Sequence, residues 1–414
     1  AKLACGAFSR DGAGNAEAGE AFGIAPDRVY GSYREMAAKE PLRPDCIDFA
    51  VVAAPNSQHY DMAKAFLEAG INVACEKPLC FEPRQAEELL SLARRKNLLF
   101  ATTYAYSGYT MAKVARQMIA GGRIGDILAV SAEFAQEWLL GKLAGAVANG
   151  AHGDAGASGG AGANGDAESG GAGGGAGADS AGGAGNAGGA GASGVKTGGA
   201  SGADGGDGGG AAEETLAGWR DNPAIAGISN CVGDIGTHVE HMVHYMTGLR
   251  IRRLLATANT FGQPLELNAN VLLEYDNGAN GSYWFSQIAA GRQNGMAVRV
   301  YGSQGSIEWE QQSPDYLKYT PRGAATQILS RGCPYIAEAA AAGSTIPSGH
   351  PEGLYVAFAN MYKAYIGALI KKKAGQRLEP GDMDFPDAED GLSGVKFIHA
   401  VIESAASDSR WVSL

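Results

Sequence analysis

The first quarter of the chain alternates short apolar runs with amphipathic segments, and this alternation restricts the fold more than any other feature. The apolar runs predict β-strands at Leu3–Phe8, Phe49–Ala54, Ile71–Cys75 and Leu98–Thr103. The amphipathic segments predict helices at Tyr60–Ala69 and Pro83–Lys96. Strand–helix–strand units at this spacing build parallel sheets. We therefore predict an α/β domain over residues 1–106.

Beyond residue 106 the pattern changes to helices and closely spaced hairpins. The predicted helices are Ala112–Ala120, Thr237–Thr247, Tyr355–Lys371 and Asp387–Ala405. The predicted strands are Ile127–Phe134, Val271–Tyr275, Ser282–Gln287, Ala297–Tyr301, Ser306–Glu310 and Trp411–Leu414. Tight turns join these strands in pairs, which is typical of an antiparallel sheet. We predict an α+β domain over residues 107–414.

A tract from about 141 to 212 interrupts this second domain. It consists almost entirely of Gly, Ala, Ser, Asp and Asn, without an aromatic residue or a proline. Such a segment buries too little apolar surface to offset the conformational entropy of ordering it. We interpret it as a flexible insertion.

Composition excludes several classes of partner. The formal net charge is −11, with acidic residues spread along the chain, which argues against nucleic acid and anionic membranes. No apolar run approaches the roughly 20 residues that span a bilayer. The six cysteines lack the two-residue spacing of metal pairs, and we interpret them as reduced thiols of a cytoplasmic protein.

Two polar segments follow predicted parallel strands, where ligands bind in doubly wound folds. Asn56 or Ser57, after the first of these strands, is placed to cap the next helix, whose exposed N–H groups favour a nearby phosphate or ribose oxygen. Lys77 follows the second, and at that edge it can donate a hydrogen bond to a substrate hydroxyl. The alternatives are a bare helix cap and a surface ion pair between Glu76 and Lys77.

A third polar segment, Gly233–His238, precedes the helix at Thr237–Thr247. Asp234 and His238 are four residues apart and share one helix face. A histidine suits the removal of a hydroxyl proton while hydride leaves, because its pKa lies near neutrality. The alternatives are a helix cap and a structural histidine. His241 completes an apparent metal-ligand spacing, but without a further identifiable ligand we predict no metal.

Several motifs occur together in a fixed order. They are Asn56–His59, Glu76–Leu79, Gly121–Asp126, Trp219-Arg220, Gly233–His238, Ser348–Gly353 and Phe358–Asn360. As an ordered set they resemble the Gfo/Idh/MocA family of oxidoreductases, across nearly the whole chain apart from residues 141–212. The resemblance implies a Rossmann-type parallel sheet domain followed by an α+β domain with a large, mostly antiparallel open sheet. That sheet often mediates oligomers in the family, which implies a homodimer or homotetramer.

The resemblance also implies an activity and a set of site residues. The activity is hydride transfer between NAD(P) and a hydroxyl of a sugar, cyclitol or related polyol. Lys77 would hydrogen-bond the reacting oxygen, Asp234 would orient and bind substrate, and His238 would act as the general acid and base. The implied cofactor-binding residues are Ser9, Arg10, Ala54, Pro55, Asn56, His59, Glu76, Lys77, Tyr104 and Trp219.

The beginning of the sequence departs from the family pattern. The family starts with a strand and a glycine-rich phosphate loop, which we expect to be missing here. Gly12–Glu17 nearly fits GxGxxG but ends in Glu, and Gly183–Gly188 fits only within the Gly/Ala tract. If Leu3–Phe8 is the second strand of the domain, Ser9 and Arg10 lie where the adenosine ribose is recognised. A Ser-Arg pair suits a 2′-phosphate and favours NADP.

Two other functions fit the same sequence. One is a non-catalytic relative that binds a sugar or a protein without a working phosphate loop. The other is dinucleotide-dependent glycoside hydrolysis, which uses the same fold with transient oxidation. The presence of Lys77, Asp234 and His238 favours the dehydrogenase over the non-catalytic relative.

Overall fold

The computed structural model describes residues 1–9, 11–141, 143, 218–336 and 342–414. Apart from Gly141 and Leu143, the predicted flexible insertion lies outside the described residues. The strands are β1 (Phe49–Val52), β2 (Asn72–Cys75), β3 (Phe100–Thr102), β4 (Ile127–Ala135), β5 (Ile251–Asn259), β6 (Asn268–Tyr275), β7 (Asn280–Ser286), β8 (Gly295–Gly302), β9 (Gly305–Glu310), β10 (Tyr316–Pro321), β11 (Gln327–Ser330) and β12 (Val412–Ser413). The helices are α1 (Gly12–Ala21), α2 (Tyr33–Lys39), α3 (His59–Glu68), α4 (Pro83–Arg95), α5 (Thr110–Ala120), α6 (Pro223–Ala226), α7 (Thr237–Thr247), α8 (Leu354–Lys373) and α9 (Ala388–Ala406).

A small parallel sheet forms from the first part of the chain. Its strand order is β1-β2-β3, with Val52 beside Cys75 and Cys75 beside Thr102. Helices α3 and α4 connect the strands, as the alternating pattern predicts. Helix α4 begins with a capping box in which Glu82 and Gln85 exchange hydrogen bonds, and it buries Leu89 in the core of the sheet.

The predicted strand at Leu3–Phe8 is wrong as a continuous strand. Only Gly6 pairs with a neighbour, in a single parallel bridge to Val29. A cavity of about 1890 Å³ lies between residues 1–9 and strand β1. A ladder needs successive pairs, and the described part of this segment faces a cavity instead of a second strand.

A nine-stranded sheet dominates the rest of the described chain. Its order is β11-β10-β9-β8-β4-β7-β6-β5-β12. Strands β4 and β7 pair in parallel, and the other pairs of this sheet run antiparallel. The predicted fold class, a Rossmann-type parallel sheet followed by an α+β part with a large, mostly antiparallel sheet, is confirmed.

The two faces of the large sheet differ. Alternate residues such as Phe134, Leu273 and Phe285 are buried beneath helices α5, α7 and α9. The opposite face exposes apolar side chains, including Leu272 and Tyr301, which are 52% and 45% exposed. Such alternation is typical of a sheet with one covered face.

The last long helices return to the parallel sheet. Tyr365 of α8 is buried, and its hydroxyl lies 3.0 Å from the carbonyl oxygen of Val73 in β2. Thr102, at the end of β3, donates its backbone N–H to the carbonyl of Pro386, just before α9. The C-terminal helices therefore fix the strand ends from which the candidate site is built. In the described part of the chain, no helix is long and apolar enough to cross a membrane.

Candidate functional site

The site begins at the carboxyl edge of the parallel sheet. Val52 and Cys75 lie side by side, so the residues that follow them leave the sheet at the same place. After β1 this edge carries Ala54, and after β2 it carries Lys77, whose peptide bond to Pro78 is cis. The ring nitrogens of His59 each lie 2.8 Å from a backbone oxygen, of Pro78 and of Ala54. His59 therefore links the two strand ends to each other.

Lys77 meets Asp234, which comes from the other half of the sequence. The Lys77 Nζ lies 2.9 Å from Oδ1 of Asp234 and also donates to the backbone carbonyl of the same residue. The Lys77 side chain is 13% exposed and that of Asp234 is 26% exposed. The pair is thus largely shielded from water but remains open on one side, which strengthens its mutual attraction.

Asp234 lies in a π-helical turn, Val232–Gly236, that leads directly into α7. Such wide turns are rare and recur at functional sites. The buried carboxylate of Glu266 holds the chain that enters the turn: it accepts hydrogen bonds from the Ser229 hydroxyl at 2.5 Å and from the Val232 backbone N–H at 2.9 Å. Glu266 thus fixes the segment that carries Asp234.

The Asp234 carboxylate is charged in this setting. Burial raises its pKa, but the positive charges of Lys77 and Arg220 and the hydrogen bonds outweigh this effect and hold the pKa below 3.8. Gln287 donates from Nε2 to Oδ2 at 3.0 Å, and Arg220 Nε lies 3.8 Å from the same oxygen. The Arg220 guanidinium in turn lies 4.5 Å from the ring centroid of Trp219.

His238 lies one helical turn after Asp234, on α7. Its ring centroid is 4.7 Å from that of Tyr106 and 5.7 Å from that of Tyr104. Burial, followed by the nearby charge of Lys77, holds the pKa of His238 well below 6.5. Its Nδ1 is buried and has no hydrogen-bond partner among the described residues. A neutral imidazole has a ring nitrogen that can accept a proton, and the neighbouring ammonium makes it a weaker base than a free imidazole.

Lys77, Asp234 and Arg220 line a cavity of about 360 Å³, whereas His238 lies behind them and is not among the lining residues. The cavity is lined by Ala53, Ala54, Asn56, His59, Glu76, Lys77, Pro78, Trp219, Arg220, Ala226, Ser229, Asn230 and Asp234. A charged lysine and an aspartate converge with amide and hydroxyl groups on a small concave space. This combination is typical of a site for a small polar molecule.

Comparison with known protein families assigns the chain to one of them. Residues 3–104 match the model described as "Oxidoreductase family, NAD-binding Rossmann fold". Residues 207–414 match the model described as "Oxidoreductase family, C-terminal alpha/beta domain". The chain belongs to the Gfo/Idh/MocA oxidoreductase family.

Individual Gfo/Idh/MocA proteins are similar over most of their length. The uncharacterized oxidoreductase YfiI of Bacillus subtilis is 32% identical over 99% of this chain and 89% of its own length. The levoglucosan dehydrogenase of Pseudarthrobacter phenanthrenivorans is 22% identical over 88% of this chain and 79% of its own length. The crystal structure of an inositol dehydrogenase homolog from Azotobacter vinelandii, complexed with NAD⁺, matches with a TM-score of 0.77 and 30% identity. That match covers 100% of this chain and 90% of the Azotobacter chain.

The structure brings most of the residues predicted from the sequence to one place. Lys77 and Asp234 are in contact, and His238 lies on the next helical turn. Ala54, Asn56, His59, Glu76 and Trp219 line the cavity with Lys77 and Asp234. The predicted cap at Asn56 is wrong, because helix α3 has no side-chain cap and the Asn56 amide donates to the carbonyl of Ala226 instead. Pro55 and Ser9 line the larger cavity beside β1. Tyr104 is only 1% exposed and stacks on His241, and Arg10 lies outside the described residues.

Several polar residues in and beside the cavity were not predicted as site residues from the sequence, among them Arg220, Ser229, Asn230 and Gln287. Asn230 lines the cavity, and Gln287 hydrogen-bonds the Asp234 carboxylate. Asn230 stands four residues before Asp234 in a mostly apolar stretch, which is the one sequence signal that points to it. Gln287 ends a predicted strand and carries no local signal.

The residues around the cavity fit the nicotinamide half of a dinucleotide. The small side chains of Ala53 and Ala54 leave the end of β1 open beside Lys77. The near-match to a glycine loop does not fit a phosphate. Asp11 caps helix α1, and its carboxylate accepts from the backbone N–H of Gly14 at 2.9 Å, where a phosphate would be repelled. Among the described residues, no group of three His, Cys, Asp or Glu side chains could hold a metal ion.

Proposed function

We propose that this chain transfers a hydride between NAD(P) and a hydroxyl of a sugar, cyclitol or related polyol. The contact between Lys77 and Asp234, with neutral His238 one turn away, carries this proposal. Similar family members support the substrate class, since one solved homolog was crystallised with NADH and myo-inositol, and another relative is named levoglucosan dehydrogenase. In this proposal residues 1–106 form the dinucleotide-binding domain and residues 107–414 the substrate domain, with Lys77 of the first reaching the substrate and Trp219 of the second reaching the nicotinamide.

Lys77 binds and polarises the reacting oxygen. An ammonium group has three N–H donors, and two hydrogen bonds of Lys77 go to Asp234. The remaining donor is available to a substrate hydroxyl in the cavity. As the hydroxyl becomes a carbonyl, negative charge develops on its oxygen, and the positive charge of Lys77 stabilises it.

His238 receives the hydroxyl proton. Its low pKa keeps it neutral near pH 7, so a nitrogen lone pair is available for the proton. A bound nicotinamide would supply the hydride acceptor, while the hydrogen bonds to Asp234 orient the Lys77 side chain. In the reverse direction the same imidazole returns the proton to the alkoxide.

The roles of the other cofactor-binding residues are proposed from the cavities that they line. Asn56, Glu76 and Trp219 would hold the nicotinamide half, since they line the cavity with Lys77. Ser9 and Pro55 would contact the adenosine half along the neighbouring cavity. The Ser9-Arg10 pair favours NADP over NAD, because a cationic side chain suits a 2′-phosphate.

We also propose that the chain forms a homo-oligomer in the cytoplasm. The uncovered face of the nine-stranded sheet exposes apolar side chains, among them Leu272 and Tyr301, which a second copy could cover. All six cysteines are free, which agrees with a reducing compartment. Light scattering coupled to size-exclusion chromatography tests the assembly, and a monomer would contradict it.

A polyol screen tests the proposed activity. The purified chain is mixed with NAD⁺ or NADP⁺ and with myo-inositol, levoglucosan or D-xylose, and formation of reduced nicotinamide is followed by absorbance. We expect cofactor reduction with at least one polyol, and more of it with NADP⁺. Saturable binding of NADPH without reduction by any polyol would favour the non-catalytic relative. Glycosidic cleavage without net reduction would favour the hydrolase.

A further inference from the structure

We propose that Asn230 binds a second substrate hydroxyl, adjacent to the one that reacts, so that the site selects vicinal diols. The inference rests on the proposed function and adds a specificity-determining residue to it. Asn230 is 2% exposed, and it is one of the residues that line the same cavity as Lys77 and Asp234.

The side-chain amide of Asn230 lacks partners. Neither Oδ1 nor Nδ2 makes a hydrogen bond within the described part of the chain. Leaving a buried polar group unpaired is unfavourable, and folded proteins pair nearly all such groups. A ligand that enters the cavity is therefore the natural partner for this amide.

The backbone around Asn230 is held in place. Its N–H donates to Oε2 of Glu266 at 3.2 Å, and its carbonyl accepts from the Asp234 N–H at 2.8 Å. Ser229, the preceding residue, is anchored to the same carboxylate. The backbone that carries the buried amide is thus fixed at the wall of the cavity.

The chemistry of the amide matches a hydroxyl. An asparagine offers both an acceptor and a donor, and an alcohol needs both. Asn230 precedes Asp234 by one turn, so the two side chains can contact neighbouring oxygens of one molecule. Lys77 would hold the reacting oxygen and Asn230 the oxygen on the adjacent carbon.

The test compares two probes that differ by one hydroxyl, trans-1,2-cyclohexanediol and cyclohexanol. Binding of each to the NADPH-loaded full chain is measured by saturation-transfer difference NMR. We expect the wild-type protein to bind the diol about tenfold more tightly than the alcohol. In Asn230→Ala this preference should disappear. Asn222→Ala, in the same region of the chain but exposed and outside the cavity lining, should keep it.

Folding and cofactor binding are measured for the same variants. Because the Asn230 side chain has no hydrogen-bond partner to lose among the described residues, Asn230→Ala should have a melting temperature at or above that of the wild-type protein. If the alanine variant is insoluble, Asn230→Ser replaces it in the binding test. A diol preference that survives in these variants overturns the inference, as does equal binding of both probes by the wild-type protein. Weakened NADPH affinity with an unchanged diol preference would instead assign Asn230 to the nicotinamide carboxamide.

The polyol screen distinguishes failure of this inference from failure of the proposed function. If turnover does not depend on Asn230, the proposed dehydrogenase activity stands and the role of Asn230 in substrate selection is refuted. Diol binding that depends on Asn230 without any hydride transfer supports the inference and contradicts the catalytic proposal.

Discussion

The Nζ of Lys77 lies 2.9 Å from Oδ1 of Asp234, although 157 residues separate them in the sequence. One residue leaves the edge of the parallel sheet, and the other enters helix α7 through a π-helical turn. Their ion pair therefore joins the two parts of the fold at the point where chemistry is proposed. It holds the ammonium at the cavity while leaving a donor free.

Asp234→Asn tests whether the reaction needs the carboxylate that pairs with Lys77. Without the carboxylate, the ammonium loses its ionic partner, and we expect kcat to fall by about 10²-fold. Steady-state kinetics with the best polyol measures the effect. Glu88→Gln is the matched control, because Glu88 pairs with Lys64 at 2.6 Å on the surface and should leave kcat unchanged. Equal kcat for Asp234→Asn and the control would remove Asp234 from the mechanism.

The pH dependence of polyol oxidation should reflect the unusual environment of His238. Its pKa lies well below 6.5, so the base remains neutral and competent as the pH falls through that value. We expect kcat/KM for oxidation to stay level there and to decline only at lower pH. His238→Gln should lower the whole profile, whereas the exposed His350→Gln should not change it. A decline centred at or above 6.5 in the wild-type protein would contradict this account of His238.

Glu240, on the same helix, should make stability depend on pH. Burial, together with the nearby Asp390 carboxylate, raises its pKa to about 8 from 4.5. The folded protein holds this proton more tightly than the unfolded chain does. The contribution of Glu240 to stability is therefore full below pH 4.5 and is lost as the pH rises to about 8, at about 1.4 kcal/mol per pH unit.

Glu240→Gln removes this titration. Chemical denaturation should give a free energy of unfolding close to wild type near pH 5 and higher than wild type near pH 8. Glu274→Gln is the control, since the hydrogen bonds from Arg253 and Arg252 lower the pKa of Glu274 to about 2. Its effect should not grow over this range. The same difference between wild type and Glu240→Gln at both pH values would refute the expectation.

Glu266 should act as a positioning residue. Its carboxylate accepts hydrogen bonds from the hydroxyl of Ser229 and from the backbone N–H groups of Asn230 and Val232. Glu266→Ala leaves these donors unpaired and should reduce stability by about 2 kcal/mol. It should also lower kcat while the affinity for NADPH changes little. Glu266→Gln restores part of this hydrogen bonding, so partial recovery of kcat distinguishes positioning from bulk destabilisation. No recovery would contradict the positioning role.

The sequence predicts the edge of the parallel sheet well. Apolar strand–helix–strand spacing determines that Phe49–Val52 and Asn72–Cys75 run in parallel, and parallel strands place the residues after them together. Lys77 is therefore predictable as a site residue from its position. Its contact with Asp234 cannot be predicted in this way, because local periodicity carries no information about residues so distant in the sequence. The family resemblance is what assigns both residues to one site.

Other features depend on tertiary context. Strands β10 and β11 were not predicted, since β10 buries only Leu317 and Tyr319 in a short alternation and β11 has no fully buried position. Helix α1 was not predicted either, because its Gly- and Ala-rich sequence has no apolar stripe. The significance of Asn230 depends on its burial and its lack of partners, and the importance of Glu266 depends on the loop folding back onto it. Such properties exist only once the chain has folded.

The most direct test of the central claim compares hydride transfer in wild type, Lys77→Ala and Lys64→Ala. Lys64 is the matched control, because it forms a surface ion pair with Glu88 away from the cavity. Single-turnover reduction of NADP⁺ by the best polyol is followed after cofactor binding has been verified for each variant. We predict a loss of about 10²-fold or more for Lys77→Ala and no loss for Lys64→Ala. Equal rates in wild type and Lys77→Ala would show that Lys77 does not carry the reaction.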